Sequence, residues 1–150
     1  MPLIIISTPG KVFVETAVDH RQVHAALMLL ANPGKAAFLA GFFKTGKGQY
    51  AEGDQFLGIM VPATRQLAQQ FRQLGLTDCE RLLDSPYNEA RLLALLILVD
   101  RYHQGDVSLK AKVYRLYLKK RGRVNNWNLV DSSAPHIVGA HLLRQDRSVL

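Results

Sequence analysis

The stretch RLLALLILVDRY, residues 91–102, decides the fold of this chain. Its middle, from Leu92 to Val99, is an unbroken apolar run, and as a helix it is apolar on nearly every side. A helix of this kind is typical of a protein core, because only the interior accommodates apolar side chains in all directions. Ser85 and Pro86 open it, since proline is favoured in the first turn of a helix. We therefore predict a central helix around which the rest of the chain packs.

Helix signals continue on both sides of this segment. Asp19 has the position of a helix cap, Thr77 and Glu80 have the spacing of a capping box, and Pro135 predicts a bend in the last helix. The flanking helices are predicted over residues 19–30, 35–43, 62–73, 77–84, 107–120 and 125–143. Successive helices with short turns predict an all-α fold, an α-solenoid of irregular repeats. A plain helical bundle stays open, because the similarity between the helix pairs is weak.

The length of 150 residues fits one helical domain over residues 19–150, preceded by a short arm or hairpin over residues 1–18. No apolar run approaches the ~20 residues of a membrane-spanning helix, and the N-terminus lacks the basic region of a secretory signal. Cys79 is the single cysteine, which excludes an intramolecular disulfide. We expect a cytoplasmic protein that does not enter a membrane.

The net charge of +7 is confined to the last third of the chain. Residues 1–100 hold nine basic and nine acidic side chains, whereas residues 101–150 hold ten basic and three acidic ones. Such a one-sided positive field favours polyanions, nucleic acid above all, although a basic surface also aids solubility. The side chains expected to contact phosphate are Lys112, Arg115, Lys119, Lys120 and Arg123. The alternative is that basic residues near a helix end only stabilise that helix.

Other motifs predict neither a cofactor nor a metal. Residues 41–47 match the spacing of a P-loop, but Gly48 replaces the hydroxyl residue that holds magnesium, and a helix rather than a strand is predicted before it. His20 and His24 lie four residues apart without a third ligand. We expect no cofactor and no metal site.

Trp127 and Asp131 are the candidates for chemistry. They lie four residues apart, so on a helix they project from one face. A carboxylate among so many cations weakens polyanion binding unless it meets positive charge that develops in a reaction. A sugar that loses its base becomes oxocarbenium-like and carries such charge. The pair therefore indicates cleavage of a glycosidic bond, although a lone tryptophan is often core and an aspartate in a helix is often solvated.

Two separated motifs resemble the AlkD-like DNA alkylation repair family. Residues 126–131, Asn-Trp-Asn-Leu-Val-Asp, followed by Ser132 and Pro135, are similar to the tryptophan-to-aspartate signature of that family. Residues 56–59, Phe-Leu-Gly-Ile, followed by Pro62 and the run 65–67, are similar to its FLGI-x-x-P-x-x-R segment. The likeness covers roughly residues 22–150 and is fairly specific, because both motifs occur in the family's order.

The resemblance implies a HEAT-like repeat fold whose concave basic surface holds duplex DNA. Characterised members are DNA glycosylases that excise positively charged N-alkylated purines, such as 3-methyladenine and 7-methylguanine, without flipping the base into a pocket. By the resemblance, Trp127 would contact the deoxyribose at the lesion, and Asp131 would stabilise the sugar cation and position water.

Family members are longer than this chain and supply a further arginine and a second tryptophan from downstream helices. We therefore expect a C-terminally truncated member of uncertain enzymatic activity. The alternative is a non-catalytic helical-repeat module that binds nucleic acid or protein. The exposed repeat end could also drive homo-association.

Overall fold

A computed structural model describes residues 18–49 and 51–144, so the predicted arm over residues 1–18 lies outside the described residues apart from Val18. Within them the chain is all-α, as predicted, and the only extended pairing is an isolated bridge between Gln55 and Tyr87. Two short turns accompany the helices, a 3-10 turn at Arg121–Arg123 and a π-helical turn at Pro135–Gly139. The α-helices are α1 His20–Leu29, α2 Pro33–Phe42, α3 Val61–Gln70, α4 Leu76–Leu83, α5 Asn88–Gln104, α6 Val107–Lys119, α7 Trp127–Ala134 and α8 Ala140–Arg144.

The central position predicted for residues 91–102 is confirmed by α5. This helix packs against α3, α4, α6 and α7, and nearly all of its side chains are buried. Leu93, Leu95, Ile97 and Leu98 are fully buried on different sides of the helix. Stacking of successive helices on such an element is the arrangement expected of a helical-repeat solenoid.

The capping predictions had different outcomes. Asp19 caps α1 in a reciprocal capping box with Gln22, as its position predicted. The capping box predicted for Thr77 and Glu80 is wrong, because α4 begins at Leu76 and Thr77 already lies inside the first turn. The Glu80 carboxylate instead accepts a hydrogen bond from Lys119 Nζ on α6 at 2.9 Å. Tertiary packing thus set both the start of α4 and the partner of Glu80.

The helix predicted over residues 125–143 is interrupted at Pro135, as expected from the missing backbone donor of proline. Pro135 begins the π-helical turn that separates α7 from α8. The interruption lets α7 pack on α5 while the π-helical turn and α8 reach α6. Trp127 and Asp131 both lie in the regular part before it.

Gly58 holds the segment after the glycine-rich loop against the start of α2. Its φ of +87° belongs to the left-handed region, and a Cβ at this position would lie 2.0 Å from the carbonyl oxygen of Asn32. The neighbouring Leu57 carbonyl accepts a hydrogen bond from Asn32 N at 2.8 Å. Only glycine permits this approach, which brings α2 close to the beginning of α3 and α5.

No single helix in residues 18–49 and 51–144 has the length and apolar character needed to cross a membrane. Helices α1 and α2 meet that test only when taken together, and they are bent by 100° at the break between them.

Candidate functional site

A cavity of about 390 Å³ lies where α2, α3, α5 and α7 come together. Its wall is mostly apolar and aromatic, and Asp131 adds a carboxylate at its edge. The helices α3, α5 and α7 all begin at or next to this cavity, with Val61, Asn88 and Trp127 in its lining. The aromatic members of the wall are Phe38, Phe42, Phe43, Phe56 and Trp127.

Trp127 forms part of an aromatic cluster and still reaches solvent. Its ring centroid lies 5.1 Å from that of Phe43 and 6.4 Å from that of Phe42. Phe43 in turn stacks on Phe56 at 5.1 Å. These contacts support one side of the indole, yet 47% of the Trp127 surface remains exposed. The residue therefore presents an aromatic face at the mouth of the cavity rather than filling the core.

Asp131 lies one helical turn after Trp127 and lines the same cavity, so the structure brings the two predicted residues together. Asp131 is exposed and belongs to none of the ion pairs formed among the described residues. A carboxylate at the edge of an apolar wall keeps its charge in a region with few competing dipoles. Such a group can stabilise a nearby cation or accept a hydrogen bond from water.

The start of α7 is fixed by a buried polar network that the sequence analysis did not identify. Asp54, at 8% exposure, pairs with the guanidinium of Arg91, which is 2% exposed. The second oxygen of Asp54 accepts hydrogen bonds from Asn126 Nδ2 at 3.1 Å and Asn88 Nδ2 at 2.9 Å. Asn88 and Asn128 exchange amide hydrogen bonds at 2.8 and 3.2 Å. The residues on both sides of Trp127 are thus tied to the first turn of α5.

Glu89 ties the other sequence motif to that same turn of α5. Its buried carboxylate accepts hydrogen bonds from the backbone N–H groups of Leu57 at 2.9 Å, Gly58 at 2.8 Å and Ile59 at 3.1 Å. Three donors on one carboxylate satisfy backbone groups that would otherwise be buried without partners. Since Glu89 also lines the cavity, the Phe-Leu-Gly-Ile segment and the Trp127 segment are positioned from one point.

A signal for these anchoring residues is present in the sequence. Glu89 and Arg91 are charged residues at the entrance of an otherwise apolar helix, and charged residues are rarely buried there without partners. Their partners lie far away along the chain. Asp54 comes from the glycine-rich loop, which the sequence describes only as a loop. The pairing depends on how that loop folds back onto α5.

The five predicted phosphate-contacting residues divide into two groups, and none of them lines the cavity of Trp127 and Asp131. Lys112 and Arg115 are exposed on α6. Lys119 pairs with Glu80 at 2.9 Å and Lys120 pairs with Asp84 at 2.9 Å. These last two pairs join the end of α6 to α4.

Arg123 also contacts α4. Its Nε donates to the Leu83 carbonyl at 3.1 Å, and its Nη2 donates to the Ser85 carbonyl at 3.0 Å. These carbonyls lie at and just after the C-terminal end of α4, where a cation is favoured by the helix dipole. In this structure Lys119, Lys120 and Arg123 therefore act between helices, whereas Lys112 and Arg115 remain available to a ligand.

The titratable groups with shifted pKa values lie away from the cavity. Burial lowers the pKa of His141 from its usual 6.5, and the nearby Arg144 and Arg115 lower it further. The His141 ring stacks on Tyr114 at 4.1 Å, and its Nδ1 lies 3.0 Å from the Tyr102 hydroxyl oxygen. Burial also raises the pKa of Tyr102 and the pKa of Tyr117. These groups join α8 to α5 and α6 rather than serving the cavity.

The histidines considered as metal ligands have structural partners. His20 Nδ1 lies 3.0 Å from an Asp78 carboxylate oxygen, and His24 Nε2 lies 3.3 Å from the Ser85 hydroxyl. Among residues 18–49 and 51–144, no three His, Cys, Asp or Glu side chains form a group that could hold a metal ion.

Comparison with protein-family models supports the resemblance of the two motifs. A model described as DNA alkylation repair enzyme matches residues 23–150, a range that contains both the Phe-Leu-Gly-Ile segment and the pair Trp127 and Asp131. A search of curated proteins and a search of solved structures returned no match. The family match covers most of the chain and agrees with its all-α architecture. The chain belongs to the DNA alkylation repair enzyme family, which indicates a role in DNA repair.

Proposed function

We propose that this chain excises N-alkylated purines, such as 3-methyladenine and 7-methylguanine, from duplex DNA. The observation that carries the proposal is the position of Trp127 and Asp131, which line one cavity on the same face of α7. The exposed indole offers an apolar plate to a deoxyribose, and the adjacent carboxylate offers negative charge. The helical framework then serves as a HEAT-like scaffold for the duplex.

The reaction requires little acid catalysis from the protein. An N-alkylated purine already carries positive charge, so it leaves as a neutral base when the bond between C1′ and nitrogen breaks with both electrons passing to the base. The sugar becomes an oxocarbenium-like cation, which the Asp131 carboxylate would stabilise at close range. Water then adds to C1′, and its proton passes to Asp131 or to solvent. No cofactor and no metal take part in these steps.

The positively charged side chains supply the affinity for DNA in this proposal. Lys112 and Arg115 are exposed and join none of the ion pairs among the described residues, so they are free to contact phosphates. Lys119, Lys120 and Arg123 would add to the positive field while holding α6 on α4. Counterion release from DNA makes such binding strongly dependent on salt.

Release of methylated purines from alkylated duplex DNA tests the proposal. We expect release by the unchanged chain and a loss of at least about 100-fold in D131N, because the substitution removes the charge that stabilises the sugar cation. E52Q makes the same chemical change at another exposed acid and should release purines normally. Equal release by the chain and D131N would contradict a catalytic role for Asp131.

The same experiment separates catalysis from binding alone. A non-catalytic binding module would bind duplex DNA in a salt-sensitive way and release no purine. In that case K112E would weaken binding, while D131N would leave binding unchanged or strengthen it, since it removes a negative charge near the DNA.

A further inference from the structure

A second cleft, of about 290 Å³, lies between α3 and α5 and is separate from the cavity of Trp127. Helix α3 contributes Arg65, Gln69 and Arg72 to it, and α5 contributes Asp100 and His103. The floor is apolar and consists of Ala68, Leu96 and Val99. Two guanidinium groups, an amide and an imidazole along one cleft are donors suited to an anion.

The arginines of this cleft are not used to hold the fold together. Arg65, Gln69 and Arg72 follow one another at intervals of four and three residues, so they project from one face of α3. All three are exposed, and neither arginine joins an ion pair among residues 18–49 and 51–144. By contrast, Lys119 and Lys120 are both paired with carboxylates of α4. The cleft therefore keeps its positive charge available for a ligand.

Asp100 is the single carboxylate in the lining of the cleft, and the two arginines outnumber it. One of its oxygens accepts a hydrogen bond from Gln104 Nε2 at 3.0 Å. His103 adds ring donors, and its ring centroid lies 5.9 Å from that of His136 in the π-helical turn after α7. The lining thus retains a net positive charge that reaches from α3 towards the α7 segment.

One face of α5 connects the cleft to the cavity of Trp127. The α5 residues in the cavity are Asn88, Glu89 and Leu92, and the helix continues at intervals of three and four residues into Leu96 and Val99 of the cleft. At 1.5 Å per residue, the centres of these two groups lie ~15 Å apart along the helix. That separation is less than half of a ~34 Å turn of B-DNA.

We propose that the cleft of Arg65, Arg72 and His103 binds a backbone phosphate of the same duplex whose damaged nucleotide lies at Trp127. The inference rests on the proposed function, and it adds a DNA contact on α3 and α5 to those expected on α6. A phosphate held at a fixed distance from the cavity sets the position of the strand along the protein. The guanidinium groups supply charge and paired donors for its oxygens.

Binding of a short alkylated duplex by the double variant R65Q/R72Q, measured as Kd over a series of salt concentrations, tests the cleft. Each lost phosphate contact should lower the salt dependence of binding by about one counterion, and we expect Kd to rise at least about ten-fold. Undamaged duplex should be affected equally, because a phosphate contact does not depend on the base. The conservative variant R65K/R72K should retain most of the affinity.

The matched control is K47Q/R81Q, which removes the same net charge from two exposed positions outside the cleft. The cleft is supported when R65Q/R72Q loses affinity, K47Q/R81Q changes Kd less than about two-fold, and the urea midpoints of all three proteins agree. Equal binding by the two double variants overturns the cleft. If the unchanged chain still releases purines in that case, the proposed function survives without it. If the unchanged chain binds no duplex at all, the cleft and the proposed function fail together.

Discussion

Replacing Asp54 by asparagine should destabilise the protein severely although the side chain keeps its shape. The carboxylate receives hydrogen bonds from Arg91, Asn88 and Asn126, and its side chain and that of Arg91 are 1% and 2% exposed. An amide at this position offers one acceptor oxygen and turns an N–H group towards donors. It also leaves the Arg91 charge buried without a counter-charge. Breaking a buried pair in this way costs about 3–5 kcal/mol of unfolding free energy.

Urea unfolding followed by far-UV circular dichroism and by the fluorescence of Trp127, the only tryptophan in the chain, measures this loss. With an m-value of roughly 2 kcal/mol/M, the midpoint of D54N should fall by about 2 M. The matched control is D131N, which makes the same chemical change at an exposed carboxylate. Its unfolding free energy should stay within about 0.5 kcal/mol of the unchanged chain.

A loss smaller than about 1 kcal/mol in D54N would refute the reasoning, since an exposed ion pair costs no more than that. It would mean that water reaches Arg91, or that Asn125 and the Ser85 carbonyl, which also accept from this guanidinium, satisfy it without Asp54.

Three further predictions concern stability. E89Q should cost about 1.5–3 kcal/mol in urea unfolding, because the Glu89 carboxylate accepts three backbone N–H groups; a neutral result would contradict its anchoring role. G58A should cost more than about 2 kcal/mol, because its Cβ would meet the Asn32 carbonyl, whereas G41A, which has open space on α2, should stabilise by up to ~1 kcal/mol. Burial and two nearby arginines lower the pKa of His141, so the unfolded chain takes up its proton first: the contribution of His141 to stability is present above pH 6.5 and declines as the pH falls below it. Urea midpoints at several pH values should show this decline in the unchanged chain, and it should be smaller in H141Q.

The sequence allowed the helices to be predicted well where local chemistry determines them. Asp19 is a cap because its side chain bonds neighbouring backbone N–H groups, and Pro135 interrupts a helix because it lacks a donor. The apolar run from Leu92 to Val99 predicted a central helix because no other location buries all of its sides. The capping box at Thr77 failed because the start of α4 depends on packing and on an ion pair with α6.

The site was predictable only in part for the same reason. Trp127 and Asp131 share a helix, so their spacing alone predicted a common face, and both line one cavity. Asp54, Asn88 and Glu89 position them through contacts between residues that lie 30 or more apart in the chain. Single-sequence patterns carry no information on such pairs. The aromatic wall from α2 was missed as well, since its position depends on the close approach at Gly58.

The buried pair of Asp54 and Arg91 is better explained by positioning than by stability. A buried ion pair replaced by apolar residues of similar volume often leaves a protein equally stable, because the desolvation cost of the two charges disappears with them. If the pair existed for stability alone, the chain could use leucine and methionine at these positions. What apolar side chains cannot do is hold the amide of Asn126 in one orientation, and Asn126 directly precedes Trp127.

The double variant D54L/R91M separates these two roles. It should unfold within about 2 kcal/mol of the unchanged chain, at a smaller loss than D54N, because no unpaired charge remains and only the amide contacts of Asp54 are lost. Its release of methylated purines should nevertheless fall at least about ten-fold, since catalysis tolerates little displacement of the groups at the reacting centre. A change in the emission spectrum of Trp127 in the folded state should accompany the loss. Normal release by a stable D54L/R91M would show that the network supports the core and does not position the site.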